Sequence, residues 1–323
     1  MKAIVMTGYG GPEVLQYKDV EKPFPTVNQV LVKVHAASLN ASDFEIMRGS
    51  WAGRLGGPMR TKHKIFGTDI AGTVEAVGSN VTKFQPGDEV MGDLLYPNGY
   101  GAFAEYACAL GKVLAPKPAN MTFEQASTYP EAGIIAVQSL RGKREIQPGD
   151  KVLINGAGGG MGSFGIQIAK YYGAEVTGVD SALKLDMMKS IGADHVLDYM
   201  ETDFTKTGER YDMILDTVAR RSLRSYRRAM NPDGMLVIVG GNRRALFRAL
   251  ILGPLVSRMG SRSFGINPID ADPMEDYKIL AELFEAGKVV PVIDRRYPLN
   301  KVPEALQYLE DGLALGKVVI TME

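Results

Sequence analysis

The chain has 323 residues, enough for two ordinary domains and a large buried core. Its 37 basic and 37 acidic residues balance, which argues against a broad nucleic-acid surface or an acidic partner. The single cysteine, Cys108, excludes an intrachain disulfide and a cysteine-rich zinc site and fits a reducing compartment. The opening MKAIVMTGYGGPEVL carries one lysine and turns glycine- and proline-rich after a short apolar run, unlike a signal peptide. No apolar run approaches the ~20 residues of a spanning helix, so a soluble, cytoplasmic protein without an integral membrane segment is expected.

Residues 1 to about 120 read as mostly β. Short alternating or β-branched runs at Ala3–Met6, Val30–His35, Ile70–Val77, Glu89–Met91, Phe103–Cys108 and Lys112–Ala115 are separated by GYGGP, EKPFP, QPGD and YPNGYG. From 121 to 265 the texture changes to strand and helix in alternation. The stretch Lys151–Lys170, KVLINGAGGGMGSFGIQIAK, gives a buried strand over Val152–Asn155, a glycine-crowded turn, and a helix whose Phe164, Ile166, Ile168 and Ala169 can face a sheet. A second apolar strand ends at Asp180. After it come a helix (Leu183–Ile191), strands at His195–Tyr199 and Tyr211–Val218, a helix (Ser222–Met230), a strand (Met235–Gly240) and a long helix (Arg244–Met259). That alternation predicts a doubly wound parallel sheet. Two amphipathic helices, near Met274–Ala286 and Val302–Glu310, and a closing strand, KVVITM, complete the chain. The tail is expected to rejoin the first domain, giving a β-rich catalytic domain over 1–120 and 266–323 and an inserted dinucleotide-binding domain over 121–265.

Gly156, Gly159 and Gly162 fall at the spacing of a dinucleotide fingerprint, and Gly158 and Gly160 add backbone freedom. The first permits the tight turn, the second lets a pyrophosphate approach the backbone, and the third lets helix and strand pack closely. The pyrophosphate then rests on unpaired N–H groups at the helix start. Asp180, 18 residues beyond Gly162, lies near the distance of an acid that binds ribose hydroxyls. The plainer alternative is that the glycines only shape a loop.

Ordered stretches along nearly the whole chain then resemble one family: VHAASLNASDFEIMRG (Val34–Gly49), FGTDIAGTVEAVGSNVTKFQPGDEVMG (Phe66–Gly92), GAFAEY (Gly101–Tyr106), INGAGGGMG (Ile154–Gly162), GADHVLDY (Gly192–Tyr199) and GKVVPVIDRRYPLNKVPEALQYLEDGLALGKVVI (Gly287–Ile320). The chain is similar to the medium-chain dehydrogenase/reductase superfamily, in its zinc-free quinone oxidoreductase-like branch. The resemblance implies a GroES-like domain plus a Rossmann domain, a coenzyme site over Gly156, Gly158, Gly159, Gly160, Met161, Gly162, Asp180, Ser181, Lys184, Tyr199, Thr217 and Gly240, and a homodimer.

In the superfamily's zinc-dependent alcohol dehydrogenases the metal is held by a cysteine, the histidine of a GHE motif and a later cysteine. By motif alignment those places hold Asn40, Thr68 (in GTD) and Glu131 here, a poor set for zinc, and the four-cysteine loop is missing. No metal is expected. Without a Lewis acid, alcohol oxidation loses the group that stabilises an alkoxide, whereas NAD(P)H-dependent reduction of a quinone or α,β-unsaturated carbonyl has no such need. By its match to the family's early-loop asparagine, the resemblance implies Asn40 as the first candidate for a donor near the nicotinamide and the substrate carbonyl. Asp43 is a further candidate, or it pairs with Arg48 to fix the loop.

Glu131 stands in YPEAGIIAVQSL, where the family's LPxAGxTAxxAL pattern is apolar. Buried, it would have a raised pKa and could donate a proton; alternatively it pairs with a neighbouring cation. Ile135 replaces a threonine that commonly contacts the nicotinamide. Asp180 argues for NADH, while the family's habit and the positions of Lys184 and Tyr199 argue for NADPH, unless Lys184 is only a solvated helix face. His35, His63 and His195 lack metal-ligand spacing. Trp51, in the basic loop Arg48–Lys64, either stacks on a flat substrate or sits in solvent. Two rival functions stay open: a zinc-free alcohol or carbonyl dehydrogenase, and a coenzyme-binding sensor without turnover.

Overall fold

The computed structural model describes residues 1–49, 65–94, 101–141, 144–241, 262–266 and 272–322. Two compact units emerge: Met1–Ala132 with Asp272–Ala281 and Pro291–Glu323, and Gly133–Ala271 with Glu282–Val290. The loop around Trp51, His63 and the helix expected over Arg244–Met259 lie outside the described residues. Among the described residues no helix is long and apolar enough to cross a membrane.

The first unit is built on an antiparallel sheet. Strands β1 (Lys2–Met6) and β2 (Leu15–Asp19) pair with each other. Strands β3 (Gln29–Ser38), β4 (Asp69–Val77), β5 (Glu89–Asp93) and β7 (Leu114–Pro116) lie side by side, β6 (Tyr106–Leu110) pairs with the start of β3, and the tail strands β14 (Ile293–Pro298) and β15 (Lys317–Thr321) extend the sheet beyond the end of β3. Val30, Val32, Val34, Ile70, Val74, Val90, Val318 and Ile320 form its core together with Leu299, Val302 and Leu306 from the closing segment. Chain direction decides where the sheet's polar end falls. Ser38 at the end of β3 faces Asp69 at the start of β4, Asp69 faces Asp93 at the end of β5, and β15, which begins at Lys317, places Val319 opposite Ser38. Four strand ends therefore meet at one edge.

The strand expected over Phe103–Cys108 runs instead from Tyr106 to Leu110. The Phe103 backbone is engaged elsewhere, its carbonyl accepting from the Ile4 N–H and its own N–H donating to Phe66. Two short helical stretches have no long apolar period to announce them: α1 (Ala41–Met47) and the run formed by α2 (Phe123–Ser127), a wide turn at Tyr129–Gly133, and α3 (Ile134–Leu140). End-capping fixes them. Asp43 accepts from the Asn40 N–H at 2.8 Å, and Thr122 accepts from the Gln125 N–H at 3.1 Å.

The second unit is a parallel sheet of β8 (Lys151–Asn155), β9 (Glu175–Asp180), β10 (His195–Asp198), β11 (Tyr211–Asp216), β12 (Met230–Ile238) and β13 (Ser263–Ile266). Their order is β10-β9-β8-β11-β12-β13. The chain steps one way from β8 and then returns to its other side, so the topological switch point lies between β8 and β11. Helix α4 (Gly160–Tyr171) buries Phe164, Ile166, Ile168 and Ala169, the face expected from the sequence. The helix expected at Leu183–Ile191 is a short 3₁₀ turn followed by α5 (Leu185–Ser190), and α6 covers Leu223–Ala229. Helix α7 (Met274–Glu285) is shared, its residues to Ala281 belonging to the first unit, and α8 spans Val302–Glu310.

Candidate active site

The glycine turn sits where β8 leaves the sheet, at the switch point, and distance requires a glycine at Gly156 and at Gly162. Gly156 has φ +85°, and a Cβ on it would lie 2.1 Å from Thr217 Oγ1 at the end of β11. A Cβ on Gly162 would meet the Gly156 carbonyl at 2.3 Å and Ala157 Cα at 2.6 Å, so a side chain there would push the helix off the strand. Thr217 closes the other wall, its N–H and hydroxyl both donating to the Asn155 carbonyl. Helix α4 starts at Gly160 without a side-chain cap, and by helix geometry the N–H groups of Gly160, Met161 and Gly162 have no intrahelical acceptor. This backbone cradle fits a pyrophosphate.

Asp180 borders the cradle and is already engaged. It accepts from the Gly158 N–H and the Ser181 N–H, each at 2.9 Å. Lys184 lies 3.7 Å from its other side, and a Cβ on Gly158 would strike the Lys184 chain at 2.6 Å. Lys184 is 8% exposed, so it is a buried partner of Asp180 and not a solvated helix face. Tyr199 is half exposed and its N–H donates to the Asp180 carbonyl; Gly240, with φ +77°, lies just beyond the end of β12.

The first unit holds a different kind of site. At the common edge of β3, β4, β5 and β15, the Asp69 carboxylate is fully buried. Its Oδ2 accepts from Asn40 Nδ2 at 2.8 Å and from the Ser38 hydroxyl and the Glu131 N–H, both at 3.3 Å. Lys317, also buried, lies 3.7 Å from the same oxygen and donates to the Leu39 carbonyl at 2.9 Å and to Asn40 Oδ1 at 2.5 Å. Asp69 Oδ1 makes no hydrogen bond. Asp69, Asp93 and Glu131 each bring a carboxylate oxygen within 4.8 Å of the other two. The Ser42 hydroxyl donates to Glu131 Oε2 at 2.6 Å.

Electrostatics follow from this crowding. Desolvation pushes Glu131 up to about 8, the neighbouring Asp69 charge adds to the rise, and the Ser42 hydrogen bond opposes it. Burial likewise lifts Asp43 to about 8 against the pull of the Asn40 N–H. Burial raises Asp69 above the usual carboxylate range while Lys317 and its three donors pull it down, and burial lowers Lys317. Three hydrogen-bond donors and the Lys317 ammonium gathered about one oxygen favour the ionised Asp69. Buried Tyr277, on α7, is raised by desolvation and then by the charges of Asp93 and Asp69.

Asn40, Asp43 and Glu131 thus lie in one network, though in different roles. The Asn40 amide has internal partners at both ends, and Asp43 caps α1. Arg48 pairs with Glu310 on α8, which corrects the alternative of an Asp43–Arg48 ion pair. His35 meets Thr73 and the Phe123 ring, and His195 pairs with Glu175. Asp69, Asp93, Ser42 and Lys317 are members of this cluster that the motifs did not single out. Asp69 and Lys317 each head an apolar strand, an unusual place for a charge, and that was the available signal.

Comparison with known proteins adds a second line of observation. The "Alcohol dehydrogenase GroES-like domain" family matches residues 26–119 and the "Zinc-binding dehydrogenase" family matches residues 191–320. The chain is 34% identical to the 2-methylene-furan-3-one reductase of Solanum lycopersicum and 33% identical to the NADPH-dependent alkenal/one oxidoreductase, chloroplastic, of Arabidopsis thaliana; each alignment covers 99% of this chain and 79% of the relative. The solved quinone oxidoreductase of Coxiella burnetii superposes with a TM-score of 0.88 at 30% identity, over 100% of this chain and 99% of that one.

Proposed function

Because this chain belongs to the medium-chain dehydrogenase/reductase superfamily, in its quinone oxidoreductase-like branch, we propose that it reduces a quinone or an α,β-unsaturated carbonyl with NAD(P)H. The names of the relatives, an alkenal/one oxidoreductase and quinone oxidoreductases among them, support the reaction class. The observation that carries the reading is the half-buried Glu131 carboxyl, hydrogen-bonded by Ser42 and crowded by Asp69.

The coenzyme, when bound, would supply a hydride; the backbone of Gly156–Gly162 would hold its pyrophosphate, and Asp180, Ser181, Lys184 and Tyr199 would border its ribose. Glu131 does the complementary work. Once the substrate's electron-poor β-carbon has gained a hydride and the double-bond pair has moved toward the carbonyl oxygen, the Glu131 carboxyl would give its proton to the resulting enolate, leaving a carboxylate that solvent would reprotonate. Ser42 orients that carboxyl. No zinc is needed, since Asn40 and Thr68 are poor ligands and Lys317 already provides the positive charge beside Asp69. NADH is the proposed preference, because the Asp180 carboxylate repels a 2′-phosphate more than the single Lys184 offsets. A homodimer in a reducing compartment such as the cytoplasm completes the proposal, and light scattering tests the dimer.

The test is a steady-state assay with quinones, enones and simple alcohols and both coenzymes. Turnover of enones or quinones supports the reading. Coenzyme reduction by simple alcohols alone, or coenzyme binding without any turnover, overturns it.

A further inference from the structure

Among the described residues Lys317 is the one buried cation beside a group of four carboxylates, and the proton transfer above gives it no part. Its place is fixed from several sides: the first residue of β15, 2% exposed, held by the Leu39 carbonyl and Asn40 Oδ1, and 3.7 Å from Asp69 Oδ2. It makes an ion pair with Asp69 and none with Glu131. Asp69 is the link between them, since the oxygen facing Lys317 also accepts the Glu131 N–H, while Asp69 Oδ1, without a hydrogen bond, belongs to the carboxylate that crowds Glu131 and Asp93.

We propose that Lys317 is a positioning residue for the proton that Glu131 carries: its ammonium keeps the Asp69 carboxylate charged, and that charge, pressed against Glu131, helps keep the Glu131 carboxyl in its acid form. The inference rests on the reading of Glu131 as the proton donor.

The charged and titratable groups facing Glu131 come from every element around it. Asp69 arrives from β4, Asp93 from β5, Asp43 from α1 and Lys317 from β15, with Tyr277 of α7 behind Asp93 and Asp69. Contact sets the sign: Asp69 brings a carboxylate oxygen within 4.8 Å of one on Glu131, whereas Lys317 makes its ion pair with Asp69 and acts on Glu131 only as the last of its influences. Removing the ammonium strips Asp69 of its counter-charge, and a buried carboxylate without a cation takes up a proton. Glu131 then loses the stronger repulsion and the weaker attraction together. The net result is a weaker hold on its proton, the reverse of what deleting a nearby positive charge would do directly.

Infrared titration of the full-length protein reads this without turnover, through the C=O stretch of protonated carboxyls. Glu131→Gln identifies the Glu131 band. In Lys317→Met that band is expected to titrate about one pH unit lower, and a new protonated-carboxyl band from Asp69 is expected at neutral pH. Lys317→Arg should keep the wild-type titration. Should Lys317→Met not fold, the Lys317→Met/Asp69→Asn double variant removes both buried charges and should show the same lowered Glu131 titration. A Glu131 band that stays in place or moves up in either variant overturns the proposal. The pH profile of kcat with an enone should move with the band. A chain inactive against every enone and quinone would sink the function and still leave the infrared result to decide the role of Lys317.

Discussion

The two sites are built from opposite materials. The coenzyme cradle of the parallel-sheet unit is made of backbone: bare N–H groups at the start of α4 and glycines whose missing side chains leave room, with a Cβ on Gly162 blocked at 2.3 Å. The carboxylate site of the antiparallel unit is made of side chains drawn from four strand ends, from α1 and from the turn at Tyr129–Gly133, crowded and desolvated enough to move Glu131 and Asp43 to about 8. One works by leaving space, the other by crowding. The cradle should therefore be sensitive to size and nearly indifferent to pH, and the cluster the reverse.

The strongest test of that contrast is Glu131→Gln, which keeps the shape and removes the proton. A fall in kcat of about a hundredfold or more is expected. The wild-type rate should decline as pH rises through about 8, where Glu131 loses its proton, and the variant should lack that limb. An unchanged profile would make Glu131 structural only. Gly162→Val comes next. Overpacking against Gly156 and Ala157 should cost about 1–3 kcal/mol of stability, measured by denaturant unfolding. It should also weaken coenzyme binding, measured by fluorescence titration, while leaving the pH limb where it was.

Asp43→Asn probes the cluster through stability. Its carboxyl stands at about 8 in the fold against an ordinary 3.8, so the native state holds an extra proton between those values. Its contribution is complete below the lower value and disappears as pH rises through the upper one, with a slope of up to about 1.4 kcal/mol per pH unit in between. The variant should flatten that part of the stability curve, and an unaltered slope would place the Asp43 proton elsewhere. The smallest effect is expected at the cradle's edge. Asp180→Ala frees Lys184 and should move the kcat/KM ratio toward NADPH by about tenfold, which a comparison of the two coenzymes measures.

This contrast also explains what could be read from the chain. Gly156, Gly159 and Gly162 are contiguous with the strand and helix they join, so a local pattern carries the cradle, and the alternation after residue 121 carries the parallel sheet. Asn40 is legible because it matches the family's early-loop asparagine, and Glu131 because it departs from an apolar position of a recognisable motif. Asp69, Asp93 and Lys317 were not, because they are brought together by antiparallel register: Asp69 opposite Asp93 and Ser38, and β15 beside β3. Register depends on long-range pairing that no short window contains. Lys184 shows the same limit within the parallel-sheet unit, since helix spacing alone cannot tell a solvated lysine from one folded back onto Asp180.

The most direct measurement is the position of the label after reduction of an enone with coenzyme deuterated at the transferable hydrogen, run in ordinary water and read by NMR. The account expects a saturated ketone or aldehyde with the deuterium on the β-carbon and a solvent-derived hydrogen on the α-carbon. Deuterium on a carbinol carbon, with the double bond intact, would contradict it.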